Sequence, residues 1–212
     1  MPDVILPQAQ QYAERYTSAA DALLEEVAAF TTAHHPKSHM LSGHLQGRFL
    51  AMVSHMIKPK FVLEIGTFTG YSALCLAEGL QPDGELHTLE NRPDDAATAQ
   101  AFFNRSPHKN TIHLHVGDAV MVLQTLVRPW DLVFLDAAKT EYITYFNQVF
   151  PNLAPNGFIL ADNVFFHGEV FDPPRGKNAV AVQAFNDFID ARTDVEKMML
   201  PLRDGVYLIR KK

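Results

Sequence analysis

The run Phe61-Val62-Leu63-Glu64-Ile65-Gly66-Thr67-Phe68-Thr69-Gly70-Tyr71-Ser72 confines this chain to a narrow class of folds, because it reads as a buried strand entering a glycine turn and then a helix. Apolar residues on both sides of Glu64 suit a parallel strand covered on two faces. Gly66 and Gly70 allow the backbone to pass close to another group with no Cβ in the way. The helix that follows, over residues 71–79, has free N–H groups at its start.

From residue 61 onward strand and helix patterns alternate. Strands are expected near 61–65, 85–89, 111–115, 131–135 and 157–161, and helices near 71–79, 93–104, 119–127, 140–150 and 178–190. Such alternation predicts an α/β fold with a parallel sheet and helices on both faces. Pro93 suits a first helical turn, and Pro155-Asn156-Gly157 suits a turn into a strand. Residues 195–200 and 206–209, joined by the polar turn Arg203-Asp204-Gly205, read as a hairpin that adds an antiparallel pair at one edge. The first 58 residues read as a helical preface, with Leu23, Leu24, Val27 and Phe30 on one apolar stripe and Phe49, Leu50, Val53, Met56 and Ile57 on another. At 212 residues and 47% hydrophobic the chain fits one domain, 1–212.

Spacing at the glycine turn selects among ligands. A dinucleotide fingerprint needs G-x-G-x-x-G and a phosphate loop needs G-x-x-x-x-G-K-[ST], whereas this turn is E-x-G-x-x-x-G. Glu64 would repel a pyrophosphate but can accept from a cationic amine. Glu90, at the end of the next strand, stands where a carboxylate binds the hydroxyls of a ribose. A ribose joined to a positively charged amino-acid tail describes S-adenosylmethionine. The plain alternative is a glycine turn that only packs a helix on a strand.

In open parallel sheets ligands bind beyond the carboxyl ends of the strands. Here Asp136 follows Asp131-Leu132-Val133-Phe134-Leu135, and Asp162-Asn163 follows Phe158-Ile159-Leu160-Ala161. Two carboxylates and a carboxamide converging on one edge call for a cation, and oxygen ligands suit Mg²⁺, Ca²⁺ or Mn²⁺. Taken singly, each aspartate also fits a helix cap.

Charge and cysteine content exclude other classes. With a net charge of −6 and no basic run longer than Arg210-Lys211-Lys212, a broad nucleic-acid surface is not expected. One cysteine, Cys75, has no intrachain partner, and no run of eighteen apolar residues marks a membrane span. The N-terminus lacks a basic region followed by an apolar core, so a soluble cytoplasmic protein is expected.

Four segments together carry a family resemblance: residues 64–72, Gly117-Asp118-Ala119, Leu135-Asp136-Ala137-Ala138-Lys139-Thr140-Glu141-Tyr142 and Asp162-Asn163-Val164. The chain resembles a cation-dependent class I O-methyltransferase of the caffeoyl-coenzyme A and catechol O-methyltransferase group, over nearly its whole length. The resemblance implies a Rossmann-like, seven-stranded, mostly parallel sheet and a homodimer. It implies S-adenosylmethionine held by Glu64, Gly66, Thr67, Ser72, Glu90, Ala119 and Asp136, with Leu41 and Ser42 closing over it. It implies Asp136, Asp162 and Asn163 as metal ligands and Lys139 as general base beside Asp136. The implied acceptor is a vicinal-dihydroxy aromatic small molecule; within the same fold, a tRNA wobble 5-hydroxyuridine is the alternative. Two positions depart from the pattern. Many relatives have a second aspartate where this chain has Ala138, so one polar contact near the cofactor or metal is missing; many plant relatives have Trp-Asn where it has Phe166-His167, so the identity of the acceptor does not transfer.

The chemistry needs an acceptor oxygen aligned behind a sulfonium methyl and made anionic. A divalent cation lowers the pKa of a bound phenol, and a Lys139 of depressed pKa would take the proton. His167 lies among Phe165, Phe166, Phe171, Pro173 and Pro174, a loop suited to walling an aromatic acceptor. His113 and His115 share a strand face and read as structural.

Overall fold

A computed structural model describes residues 5–212. Its strands are β1 (Phe61–Ile65), β2 (Glu85–Glu90), β3 (Ile112–Val116), β4 (Trp130–Leu135), β5 (Leu153–Asp162), β6 (Val195–Leu200) and β7 (Val206–Lys211). They form one seven-stranded sheet in the order β3-β2-β1-β4-β5-β7-β6. The first five are mutually parallel; β7 runs antiparallel between β5 and β6. The expected hairpin is thus present, with its second strand inserted against the parallel sheet and its first strand left at the edge.

Among the described residues there are eight α-helices: α1 (Pro7–Arg15), α2 (Ala22–His34), α3 (Gly43–Ile57), α4 (Tyr71–Ala77), α5 (Pro93–Phe103), α6 (Ala119–Val122), α7 (Tyr142–Val149) and α8 (Lys177–Asp190). Alternation along the strands divides the core. Val62, Leu132, Phe134 and Leu160 pack on one face against Leu24, Leu50, Leu74 and Phe103. Leu63, Ile65, Val133, Leu135 and Ile159 pack on the other against Tyr142, Phe146, Phe185 and Ile189. Strands apolar on both faces are what two helical layers require.

Several expectations are corrected. The helix expected over 119–127 stops at Val122, and the chain goes on in turns closed by Gln124 N to Met121 O and Leu126 N to Val122 O; Asp118 caps its start by accepting from Met121 N at 3.1 Å. The helix expected from 140 begins as a 3₁₀ turn, Lys139–Glu141. β5 starts at Leu153 rather than 157, and Pro155-Asn156-Gly157 is an irregularity inside it, where the pairing with β4 slips between Trp130 and Leu132. Met56 and Phe30 are exposed, so the two preface stripes are narrower than their periodicity implies. Among the described residues, no helix is long and apolar enough to cross a membrane.

Candidate active site

Register brings the strand ends together. Ile65 pairs with Leu89 on one side and Leu135 on the other, and Leu135 pairs with Ala161, so Gly66, Glu90, Asp136 and Asp162 leave neighbouring strands at the same level. Gly66 sits at φ 109°, and a Cβ there would lie 2.1 Å from Asp136 O. Only glycine lets the two chains leave the sheet this close. Gly70, at φ 91°, similarly has the Phe103 ring where a Cβ would stand.

Glu64 is wholly buried on the α4 side of the sheet. Its Oε2 accepts from Thr88 Oγ1 at 2.5 Å, and Thr67 Oγ1 lies 2.5 Å from the same hydroxyl. Burial pushes the Glu64 carboxyl up to about 8, against the opposing hydrogen bonds of Ser72 and Thr88. Its Oε1 is buried with no hydrogen-bond partner. A carboxyl in that condition is matched to a cationic donor, and the ammonium of S-adenosylmethionine fits it.

Glu90 is nearly buried and anchors the turn: Oε2 accepts from Phe68 N at 2.7 Å and Oε1 from Arg92 N at 3.0 Å. Oε1 also accepts from Arg92 Nε at 3.4 Å, and Oε2 retains a lone pair for a ribose hydroxyl. Thr67 turns its hydroxyl inward to Thr88, and its N–H donates to Leu89 O, which leaves its side chain as internal support. Ser72 lies in the first turn of α4 and Ala119 opens α6. Leu41 packs on the core beside the buried Ser42, at the entry to α3. The preface also grips the turn directly, through Thr31 Oγ1 to Thr69 Oγ1 at 2.8 Å and the His35 ring edge-on to Phe68. A cleft of about 630 Å³ opens here, lined by Phe30, His35, Thr69, Asn91, Arg92 and Asp95, and so on the Glu90 side rather than at the aspartates.

The second half of the site is an acid–lysine–tyrosine group. Lys139 Nζ donates to Asp136 Oδ1 at 2.9 Å and to Tyr142 OH at 2.7 Å. Tyr142 OH lies 3.0 Å from Leu135 O and 3.1 Å from Asp162 O, and so ties β4 to β5. Asp162 is buried, and its Oδ1 has no partner. Burial first, then the Asp136 charge, pushes its carboxyl upward. Asn163 follows at φ 57°. Burial lowers the Lys139 pKa, but Asp136, Tyr142 and Asp162 more than offset it and hold the group protonated. The expected depressed lysine is corrected on that point: the aspartate that brings Lys139 into the site also keeps its proton on. Among the described residues no group of three or more His, Cys, Asp or Glu side chains is arranged to hold a metal, so a cation here would depend on two carboxylates and one carboxamide. The partnerless Asp162 oxygen fits that requirement.

His167 stands apart from this group. Its N–H donates to Asp204 Oδ1 at 2.6 Å, its Nδ1 lies 3.7 Å from Asp204 Oδ2, and its side chain is 59% exposed beside Phe166. His113 and His115 stack on the buried His87 ring, and His115 Nε2 lies 2.9 Å from His87 Nδ1. Cys75 is buried, and burial pushes its thiol up to about 12, which makes it inert.

Sequence reading assigned no role to Thr88, Tyr142, Gln46, Arg203 or Asp204. Thr88 was recoverable, since parallel register sets it opposite Glu64 on the same face. Tyr142 lies three residues from Lys139, inside a quoted segment, whereas Gln46, Arg203 and Asp204 act across long sequence separations and left no local signal.

The O-methyltransferase family model matches residues 14–212. A catechol O-methyltransferase of Niastella koreensis is 35% identical over 162 residues, 74% of this chain and 73% of that protein. Caffeoyl-CoA O-methyltransferase 5 of Nicotiana tabacum is 30% identical over 193 residues, 85% of this chain and 80% of that protein. The crystal structure of Podospora anserina methyltransferase PaMTH1 with SAH bound superposes with a TM-score of 0.90 at 30% identity, covering 98% of each chain.

Proposed function

Since the chain belongs to the O-methyltransferase family and is an S-adenosylmethionine-dependent enzyme, we propose that it methylates a vicinal-dihydroxy aromatic of the catechol or caffeoyl type, with a divalent cation held by Asp136, Asp162 and Asn163. The observation that carries this reading is the Asp162 carboxyl, buried at the end of β5 beside Asp136 with one oxygen lacking a partner. Hard oxygen donors of this kind suit Mg²⁺, Ca²⁺ or Mn²⁺ and leave coordination positions for two adjacent hydroxyls.

When bound, the cation lowers the pKa of a chelated hydroxyl and S-adenosylmethionine supplies a sulfonium methyl for in-line displacement. The chain supplies the alignment. Glu64 would accept from the ammonium of the cofactor through its free Oε1, and Glu90 would accept from the ribose while holding Phe68 N and Arg92 N. Gly66 lets the end of β1 pass close against the Asp136 carbonyl. Lys139, fixed between Asp136 and Tyr142, would receive the acceptor proton only once a cation on Asp136 and Asp162 offsets the charges that raise its pKa. Phe166 and His167 wall the acceptor side, tethered through Asp204.

Homodimer formation belongs to the same proposal. α1 buries no residue and exposes Tyr12, its C-cap Tyr16 is exposed as well, and the adjoining α3 exposes Met52 and Met56, an apolar surface that a second copy would cover. The reading includes cytoplasmic residence, supported by the single reduced, buried cysteine.

A panel of catechols, caffeoyl thioesters and hydroxyuridine-bearing tRNA incubated with methyl-labelled S-adenosylmethionine tests the acceptor. Label should enter the catechol-type small molecules. Label found in the tRNA alone would replace this acceptor with the wobble uridine.

A further inference from the structure

Both oxygens of Glu90 are held by groups that are themselves held from the helical preface. Oε2 accepts from Phe68 N at 2.7 Å, and Oε1 accepts from Arg92 N at 3.0 Å and Arg92 Nε at 3.4 Å. Phe68 is buried and sits at φ 51°, in the left-handed region that an aromatic residue seldom adopts. Two groups brace its ring: His35 stands edge-on with 4.6 Å between centroids, and the Arg92 guanidinium lies 5.5 Å from the centroid.

Asp95, in the first turn of α5, closes the circuit. It is 6% exposed, and its Oδ1 lies 3.0 Å from His35 Nε2. Its Oδ2, which no hydrogen bond of good geometry reaches, forms an ion pair with Arg92 Nε at 2.7 Å. A carboxylate only accepts, and His35 Nδ1 already accepts from Lys37 N at 3.0 Å, so the His35 ring carries a proton on Nε2 and donates it to Asp95. Glu90, Arg92, Asp95, His35 and Phe68 thus make one closed set of contacts that joins the end of β2, the start of α5, the C-cap of α2 and the glycine turn.

We propose that His35 and Asp95 are positioning residues for ribose recognition: from the preface side they lock Phe68 and Arg92, and through those two they fix the Glu90 carboxyl for the ribose hydroxyls. The proposal rests on the reading of Glu90 as the ribose ligand. Both His35 nitrogens and both Asp95 oxygens are engaged within the protein, so these side chains act on the cofactor through Glu90. Backbone strain such as that at Phe68 persists only where the surroundings over-determine it, and the two braces on the ring do so while its N–H is delivered to Glu90.

Calorimetry with SAH and with its 2′-deoxy analogue, without acceptor, tests this on the full chain. In the unsubstituted chain the hydroxyl contact should favour SAH by about ten- to a hundredfold. Asp95→Ala and His35→Ala should each weaken SAH binding on the order of tenfold and leave the analogue within about twofold, so that the preference for the hydroxyl falls. The double variant should be no weaker than the worse single, because both act through one carboxyl. His35→Gln, which keeps an N–H donor for Asp95, should retain part of the preference. A preference unchanged in Asp95→Ala and His35→Ala, or equal losses for both ligands, the mark of a general structural lesion, would overturn the proposal. Glu90→Ala separates the two readings. If it abolishes the preference while Asp95→Ala and His35→Ala do not lower it, the positioning role alone fails; if it leaves the preference intact, or the unsubstituted chain shows none, Glu90 is not the ribose ligand and the proposal falls with that reading.

Discussion

Asp162→Ala is expected to lower methyl transfer to a catechol-type acceptor by more than about a hundredfold while leaving SAH affinity within a fewfold of the unsubstituted chain. The two effects separate because Asp162 lies at the end of β5, two strands from Glu64 and Gly66 on β1, where the cofactor is gripped. The stability effect has a defined sign. Burial raises the folded pKa of this carboxyl, so the folded state binds a proton more tightly than the unfolded one. Its ionisation therefore opposes folding as pH rises through the raised pKa. Removing it should leave Tm in EDTA at neutral pH unchanged or higher, measured by differential scanning fluorimetry. A sharp fall in Tm would show instead that Asp162 is a structural group whose loss disrupts the β4–β5 edge.

Lys139→Met is expected to lower kcat by about 10²–10⁴-fold, the range for loss of a general acid–base group, with little change in SAH affinity. Lys139 is protonated in this structure because Asp136, Tyr142 and Asp162 outweigh its burial. Neutralising the two carboxylates would remove the influences that hold the pKa up and leave burial, which lowers it. The lysine is thus set between two states by charges it touches, at 2.9 Å from Asp136 Oδ1 and 2.7 Å from Tyr142 OH. Raising the pH should restore part of the lost rate, since more acceptor then arrives already ionised. A pH–rate profile of Lys139→Met that matches the unsubstituted enzyme would leave the ammonium as a brace for Asp136 and Tyr142 with no part in proton transfer.

The glycine turn was legible in the sequence because its constraint is local: Gly66 and Gly70 each occupy a positive φ, and each has backbone or ring atoms where a Cβ would stand. The ends of β1, β2, β4 and β5 were legible because parallel strands in register bring their terminal residues to one edge. α6 was overrun because apolar periodicity continues past Val122, whereas the chain there passes from helix into successive turns. The state of Lys139 was misjudged because spacing gives proximity to Asp136 but not the balance between a neighbouring charge and burial. Arg203 and Gln46 were silent because their contact joins the two ends of the fold, 157 positions apart. The Thr88–Glu64 bond falls between these cases, hidden in the sequence yet implied once β1 and β2 are set in register.

The central claim, that methyl transfer here runs through a cation held by Asp136, Asp162 and Asn163, is met most directly by assaying transfer to a catechol before and after exhaustive EDTA treatment, with Mg²⁺ or Mn²⁺ then added back to the same sample. The account predicts loss of nearly all activity on chelation and its recovery on addition of either cation. Undiminished activity in EDTA, at unchanged SAH affinity, would contradict it.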